Sequence, residues 1–155
     1  MHGRTVSGGP DDTAVYGPPM PIRARTFTYS VALERDGVAS SDRGGTPIPP
    51  EDAWTPEHLV LAGLARCTLQ SLGYHAGLRG VGVTSRATAD GVVTKRESDG
   101  RYAFVQIGLD FDISLEPATD DVRELLARAE RDCFISASLT VEPDYRWTVN
   151  GERVP

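Results

Sequence analysis

The stretch from residue 54 to residue 76 restricts the possible folds most, because it predicts a long helix with apolar residues on nearly every side. Its start is marked by Thr55, Pro56 and Glu57. These residues supply a capping hydroxyl, a proline suited to the first turn and an acid near the positive end of the helix dipole. Since residues 59–72 are apolar around most of the circumference, we expect a central helix that is buried by its surroundings.

A second helix is predicted near residue 120, with Asp121 and Glu124 in the positions of an acidic capping box. Its apolar residues recur at helical spacing and occupy one face: Val122, Leu125, Leu126, Ala129 and Cys133. We therefore expect Cys133 to point into the core, towards the first helix.

Alternating apolar and polar residues predict strands elsewhere in the chain, over residues 25–33, 81–93, 103–115 and 145–149. A turn at residues 35–37 (Arg-Asp-Gly) follows the first strand, and a loop fills residues 42–53. The resulting order, β-loop-α-β-β-α-β, predicts an α+β fold. Its half-buried strands are typical of antiparallel sheets.

The length and charge of the chain exclude several classes of protein. The 155 residues suit one domain, and the first 22, rich in Gly, Pro, Asp and Ser, predict a flexible N-terminal arm before a single domain over residues 23–155. A net charge of −6 with a single lysine argues against a nucleic-acid surface. No segment resembles a signal peptide or a membrane span, so we expect a cytoplasmic protein.

The two cysteines of the chain are the residues best suited to chemistry. A thiol in apolar surroundings such as those of Cys67 is inert unless a cation stabilises the thiolate, and Arg35 and Arg43 are candidates for that cation. Glu57 lies ten residues before Cys67, close to three helical turns, and its carboxylate could hold a guanidinium against the sulfur. The alternative is that both thiols are inert core residues and that Glu57 only complements the helix dipole.

The three histidines make no metal pattern with each other or with the cysteines, so we predict no metal site. The chain also lacks a glycine-rich phosphate loop and a Ser-His-Asp order. These absences leave the thiols as the candidate reactive groups.

The chain resembles the OsmC/Ohr family of peroxide-reducing proteins. The resemblance is carried by Pro56–Glu57, by Cys67 at the family's interval and by the segment at residues 133–136 (Cys-Phe-Ile-Ser), where the family has Cys-Pro-x-Ser. The Arg-Asp-Gly turn at residues 35–37 is similar to the region that supplies the family's active-site arginine. The resemblance covers about residues 25–149.

This resemblance implies a thiol-dependent peroxidase that reduces organic hydroperoxides, with hydrogen peroxide as a further substrate. Cys67 would be the peroxidatic nucleophile and Cys133 the resolving thiol, while Arg35 would stabilise the thiolate and Glu57 would orient Arg35. A dithiol reductant, for example a lipoylated protein, would restore the enzyme. The fold implied is an intertwined homodimer whose antiparallel sheets wrap around two central helices, without metal or cofactor and without nucleic-acid or membrane partners.

Three departures from the family pattern concern the site. Phe134 replaces the usual proline after the resolving cysteine, Arg66 stands beside the nucleophile, and the interval from Arg35 to Glu57 is short, so that Arg43 is a substitute for Arg35. A divergent OsmC-like branch is therefore indicated. The alternative function is a small-molecule-binding or redox-sensing stress protein without efficient turnover.

Overall fold

The computed structural model describes residues 24–50 and 54–155, which belong to two compact units that meet in sequence between Pro49 and Pro50. The predicted N-terminal arm, residues 1–22, lies outside the described residues. The first unit contains a hairpin of two short antiparallel strands, β1 (Val31–Leu33) and β2 (Ala39–Ser41). Its turn places Gly37 at a φ of 85°, a left-handed conformation that glycine adopts without strain.

The first strand is shorter than its alternating pattern predicted. In the segment before Val31, the Ser30 carbonyl accepts a ladder-like hydrogen bond from the Asp42 N–H at 3.1 Å. Apolar side chains of this segment and of β1 are largely exposed: Phe27, Tyr29, Val31 and Leu33. The alternating pattern therefore identified a segment suited to form a strand, but it did not identify the strand with which this segment pairs.

Helix α1 (Pro56–Gly77) opens the second unit and confirms the predicted helix and its start. Thr55 is the N-cap residue, although its hydroxyl contacts His58 Nδ1 at 2.8 Å and caps no backbone N–H. One face of α1 is buried, through Leu64, Thr68, Leu72, His75 and Ala76. The opposite face is exposed in the single chain, where large apolar side chains reach solvent: Leu59, Val60 and Tyr74.

A four-stranded sheet, in the order β3-β4-β5-β6, supports the helices. Its strands are β3 (Gly82–Lys95), β4 (Tyr102–Glu116), β5 (Asp144–Val149) and β6 (Glu152–Val154). Antiparallel pairing joins β3 to β4 and β5 to β6, whereas β4 and β5 run parallel. The sheet is therefore mixed, because the chain between β4 and β5 crosses over through helices.

A β-bulge interrupts the pairing of β3 with β4. Val92 pairs with Gln106 and Val93 with Phe104, so Val105 is the extra residue. An inserted residue reverses which side chains face inward. Beyond the bulge Phe104 packs against the core and Val105 is exposed, whereas strict alternation through the predicted strand at residues 103–115 would place Val105 on the same face as Ile107.

The crossover from β4 to β5 consists of α2 (Val122–Arg131) and the one-turn helix α3 (Phe134–Ala137). Helix α2 packs against α1 through the predicted apolar face, and Leu125, Leu126 and Ala129 are buried. Asp121 is its N-cap residue but makes no side-chain cap, so the predicted capping box is wrong. Glu124 instead contacts Arg128, with 2.7 Å between Oε1 and Nη2.

Candidate active site

Both cysteines lie where α1 meets the crossover helices, and both are free thiols. Cys67 is half-buried on α1, one residue before the fully buried Thr68. Cys133 is fully buried and forms the N-cap of α3. The helix packing that the apolar patterns predicted therefore brings the two thiols together.

Two hydrogen-bond donors lie within reach of the Cys133 sulfur. It accepts a hydrogen bond from the Ser136 N–H, with 3.5 Å between N and Sγ, and so caps the first turn of α3. The Thr68 hydroxyl lies at the same distance, 3.5 Å from Sγ, and also 3.1 Å from the Leu64 carbonyl oxygen. Cys133 is thus fixed between the two helices in one orientation.

The Cys67 thiol interacts with the same short helix. Burial raises the pKa of Cys67, the Ile135 N–H lowers it, the neighbouring Cys133 thiol raises it, and the Phe134 N–H lowers it. These two N–H groups begin a helical turn, where backbone donors have no partner within the helix. They stabilise the charged thiolate, while burial and the second thiol favour the neutral form.

The predicted partners of the Cys67 thiolate occupy exposed positions. Glu57 lies in the first turn of α1, where its own backbone N–H and the Thr55 hydroxyl lower the pKa of its carboxyl. Arg35 lies in the turn of the N-terminal hairpin, and Arg43 lies over the Tyr29 ring with its Cζ 5.6 Å from the ring centroid. Both arginines belong to the first unit, so their role at Cys67 stays a prediction.

Two neighbours of the thiols were not singled out from the sequence. Thr68 follows Cys67 directly, and this adjacency was the signal in the sequence that could have identified it. Its contact with Cys133 depends on how α1 meets α3. Tyr145 lies twelve residues after Cys133 on β5, and its hydroxyl faces the side chains of Ser136 and Thr68. No local pattern marks Tyr145, because the parallel pairing of β5 with β4 brings it there.

A part-buried contact between a histidine and an aspartate supports the segment that carries Cys133. His75, on the buried face of α1, contacts Asp132, with 2.8 Å between Nε2 and Oδ2. Hydrogen bonds from Arg131 and then from His75 lower the pKa of Asp132 against the opposing effect of burial. This pair joins the end of α1 to the residue before Cys133.

The described residues contain no cluster of three or more His, Cys, Asp or Glu side chains that could hold a metal ion. Among the helices in residues 24–50 and 54–155, none has the length and apolarity that crossing a membrane requires.

Comparison with known families agrees with the resemblance in the sequence. The OsmC-like protein family model matches residues 49–148. No curated protein matches the chain by sequence.

Solved structures share the fold at low identity. An OsmC-like protein from Mycoplasma pneumoniae has a TM-score of 0.62 at 17% identity over 82% of this chain and 99% of that one. An OsmC-like protein of unknown function from Vibrio cholerae has 0.64 at 15% identity, over 79% and 100%. The organic hydroperoxide resistance protein OhrB of Bacillus subtilis has 0.52 at 25% identity, over 80% and 98%.

Proposed function

The chain belongs to the OsmC-like protein family, and from this premise we propose that it is a thiol-dependent peroxidase that reduces organic hydroperoxides. The observation that carries the proposal is that the fold brings the two cysteines of the chain together, so that the Cys133 side chain acts on the pKa of Cys67 from a separate element. If the thiols were only structural residues of the core, burial would be sufficient for that role. Two free thiols beside each other, with backbone N–H groups directed at one of them, suit a cycle between dithiol and disulfide.

In the proposed cycle the Cys67 thiolate attacks the peroxide oxygen. The O–O bond breaks, the alcohol leaves after taking a proton, and Cys67 becomes a sulfenic acid. The Cys133 thiol then attacks the Cys67 sulfur, which forms the disulfide and releases water. A dithiol reductant, such as a lipoylated protein, returns both thiols by exchange and leaves as its own disulfide.

We assign the cation of the site to Arg35, with Glu57 as its orienting carboxylate and Arg43 as the alternative. Burial raises the pKa of Cys67, so the thiolate gains from a guanidinium that approaches it. Arg35→Ala and Arg43→Ala separate the two assignments. The partner of Cys67 should lose peroxide reactivity steeply, and the other variant, which serves as its control, should keep it.

We further propose that the protein works as a homodimer. Large apolar side chains are exposed on the outer face of α1 and along β1, among them Leu59, Tyr74 and Leu33 at 38%, 63% and 72%. Exposed apolar faces of this kind mark interaction surfaces. Sedimentation across a range of protein concentrations tests this point, and a monomer at high concentration would contradict it.

The peroxidase is tested by the intact mass and free-thiol count after one equivalent of cumene hydroperoxide is added to the reduced protein. We expect a loss of both thiols and of two hydrogen atoms. Cys133→Ser should stop at a sulfenic acid that dimedone captures, and Cys67→Ser should not react. Two slow, unreactive thiols in the wild-type protein would refute the peroxidase and favour a small-molecule-binding protein with the same fold.

A further inference from the structure

One buried polar group near the thiols has no explanation in the packing. The Tyr145 ring is stacked near Phe111, with 6.4 Å between centroids and 16° between planes. Its hydroxyl is sealed from solvent and makes no hydrogen bond of good geometry within the described residues. Because an unsatisfied buried hydroxyl costs stability, a phenylalanine would suit the packing equally well or better.

The surroundings of this hydroxyl are those of the resolving cysteine. Burial raises the pKa of Tyr145, and the facing hydroxyls of Ser136 and Thr68 lower it by less. A negative charge on the nearby Cys133 sulfur also raises it. The phenol therefore keeps its proton at neutral pH and remains a hydrogen-bond donor beside Cys133.

The protons around Cys133 can be counted. The Thr68 hydroxyl has one proton, and the Leu64 carbonyl oxygen at 3.1 Å competes for it with Cys133 Sγ at 3.5 Å. A carbonyl oxygen is the better acceptor while Cys133 is a neutral thiol. The Ser136 N–H donates to the sulfur already. The Tyr145 hydroxyl makes no hydrogen bond of good geometry within the described residues, so its proton is available when negative charge develops on Cys133.

Resting on the peroxidase function above, we propose that Tyr145 is a positioning residue for the resolving step, in which its hydroxyl, beside Thr68 and Ser136, stabilises the Cys133 sulfur as it attacks the Cys67 sulfenic acid. In that step the S–S bond forms and the S–O bond of Cys67 breaks. The Cys133 sulfur is oxidised and the Cys67 sulfur reduced. The Cys133 proton ends on the departing hydroxide, and water leaves.

Tyr145→Phe removes the hydroxyl and keeps the stacked ring. The two steps are followed separately, sulfenic acid formation by rapid mixing and dimedone capture, and disulfide formation by intact mass. We expect the oxidation of Cys67 to keep its rate and the disulfide to form about tenfold more slowly. This factor corresponds to the loss of one hydrogen bond to a charged group. Sulfenic acid should accumulate and, in excess peroxide, proceed to sulfinic acid.

The melting temperature distinguishes the proposed role from a structural one, because replacing a structural residue would lower it. It should stay equal or rise in Tyr145→Phe, because an unpaired buried hydroxyl is removed. Tyr102→Phe is the matched control. Tyr102 is 71% exposed on β4, with its ring 5.9 Å from Lys95 Nζ, and this variant should keep both rates.

Each outcome decides between the two proposals. Disulfide formation at the wild-type rate in Tyr145→Phe would overturn the role of Tyr145 and leave the peroxidase intact. Loss of both steps, or of the folded state, would make Tyr145 a structural residue and would also overturn it. A wild-type protein that peroxide does not oxidise would overturn the peroxidase itself, and the role of Tyr145 with it.

Discussion

Replacing Phe134 with proline isolates one backbone donor of the Cys67 site. Phe134 is the first residue of α3, and its N–H lowers the pKa of Cys67. Proline is well suited to this helical position but has no N–H. Cys133 before it has φ −74° and ψ 110°, an extended conformation that is compatible with a following proline. The fold should therefore tolerate the change.

The expected magnitude follows from one hydrogen bond to a half-exposed thiolate. Hydrogen bonds to charged groups contribute about 1.5–3 kcal/mol when well buried, and the Phe134 N–H ranks below the Ile135 N–H in its effect on Cys67. We therefore take about 1 kcal/mol, which corresponds to a roughly fivefold smaller thiolate population at a pH below the pKa of Cys67. The rate of peroxide reduction should fall by the same factor.

The assay is the rate of sulfenic acid formation as a function of pH. The Phe134→Pro profile should be displaced to higher pH and should meet the wild-type profile in alkaline solution, where the thiolate is fully formed. Phe134→Ala keeps the N–H and loses a ring that is 54% exposed, so it should follow the wild-type curve. Equal rates for the proline and alanine variants at neutral pH would refute a role for the N–H.

Three further substitutions test the packing and the contact between His75 and Asp132. Leu64→Ala, at a fully buried position, should lower the free energy of unfolding by about 2–5 kcal/mol in urea denaturation. Gly91→Ala should lower it by about 1–3 kcal/mol, because a Cβ there would lie 2.7 Å from the Phe104 ring; an unchanged midpoint would contradict the close approach. Asp132→Asn should destabilise the protein at neutral pH. Since the folded-state pKa of Asp132 is lowered, the difference from wild type should shrink as pH falls through that pKa, and a pH-independent difference would contradict the contribution of the carboxylate.

Helical periodicity predicted that the two thiols would come together, because one lies on a helix and the other caps one. The residues of α1 and α2 recur at intervals of three and four, which fixed the buried face of α2 and directed Cys133 towards α1. The same reasoning overestimated the burial of α1, whose outer face is exposed in the single chain. Periodicity reports which residues are apolar, and it does not report whether the same chain or another covers them.

Features that depend on tertiary contacts could not be predicted. The bulge at Val105 reverses the inward face of β4, and an alternating sequence carries no mark of one inserted residue. The Thr55 hydroxyl has two acceptable partners, a backbone N–H and His58, and only the packed structure selects one. Tyr145 lies near the thiols because β5 pairs parallel to β4, and the paired residues, such as Leu109 and Tyr145, are 36 positions apart in the chain.

The N-cap role of Cys133 links oxidation to local order. The sulfur that would enter the proposed disulfide also accepts the Ser136 N–H that begins α3. When this sulfur turns towards Cys67, the first turn of α3 loses its acceptor, so the oxidised protein should exchange the amide hydrogens of this segment faster. By reciprocity, any interaction that keeps α3 intact favours the dithiol and raises the reduction potential of the pair. The crossover helix would thus set how readily a reductant regenerates the thiols.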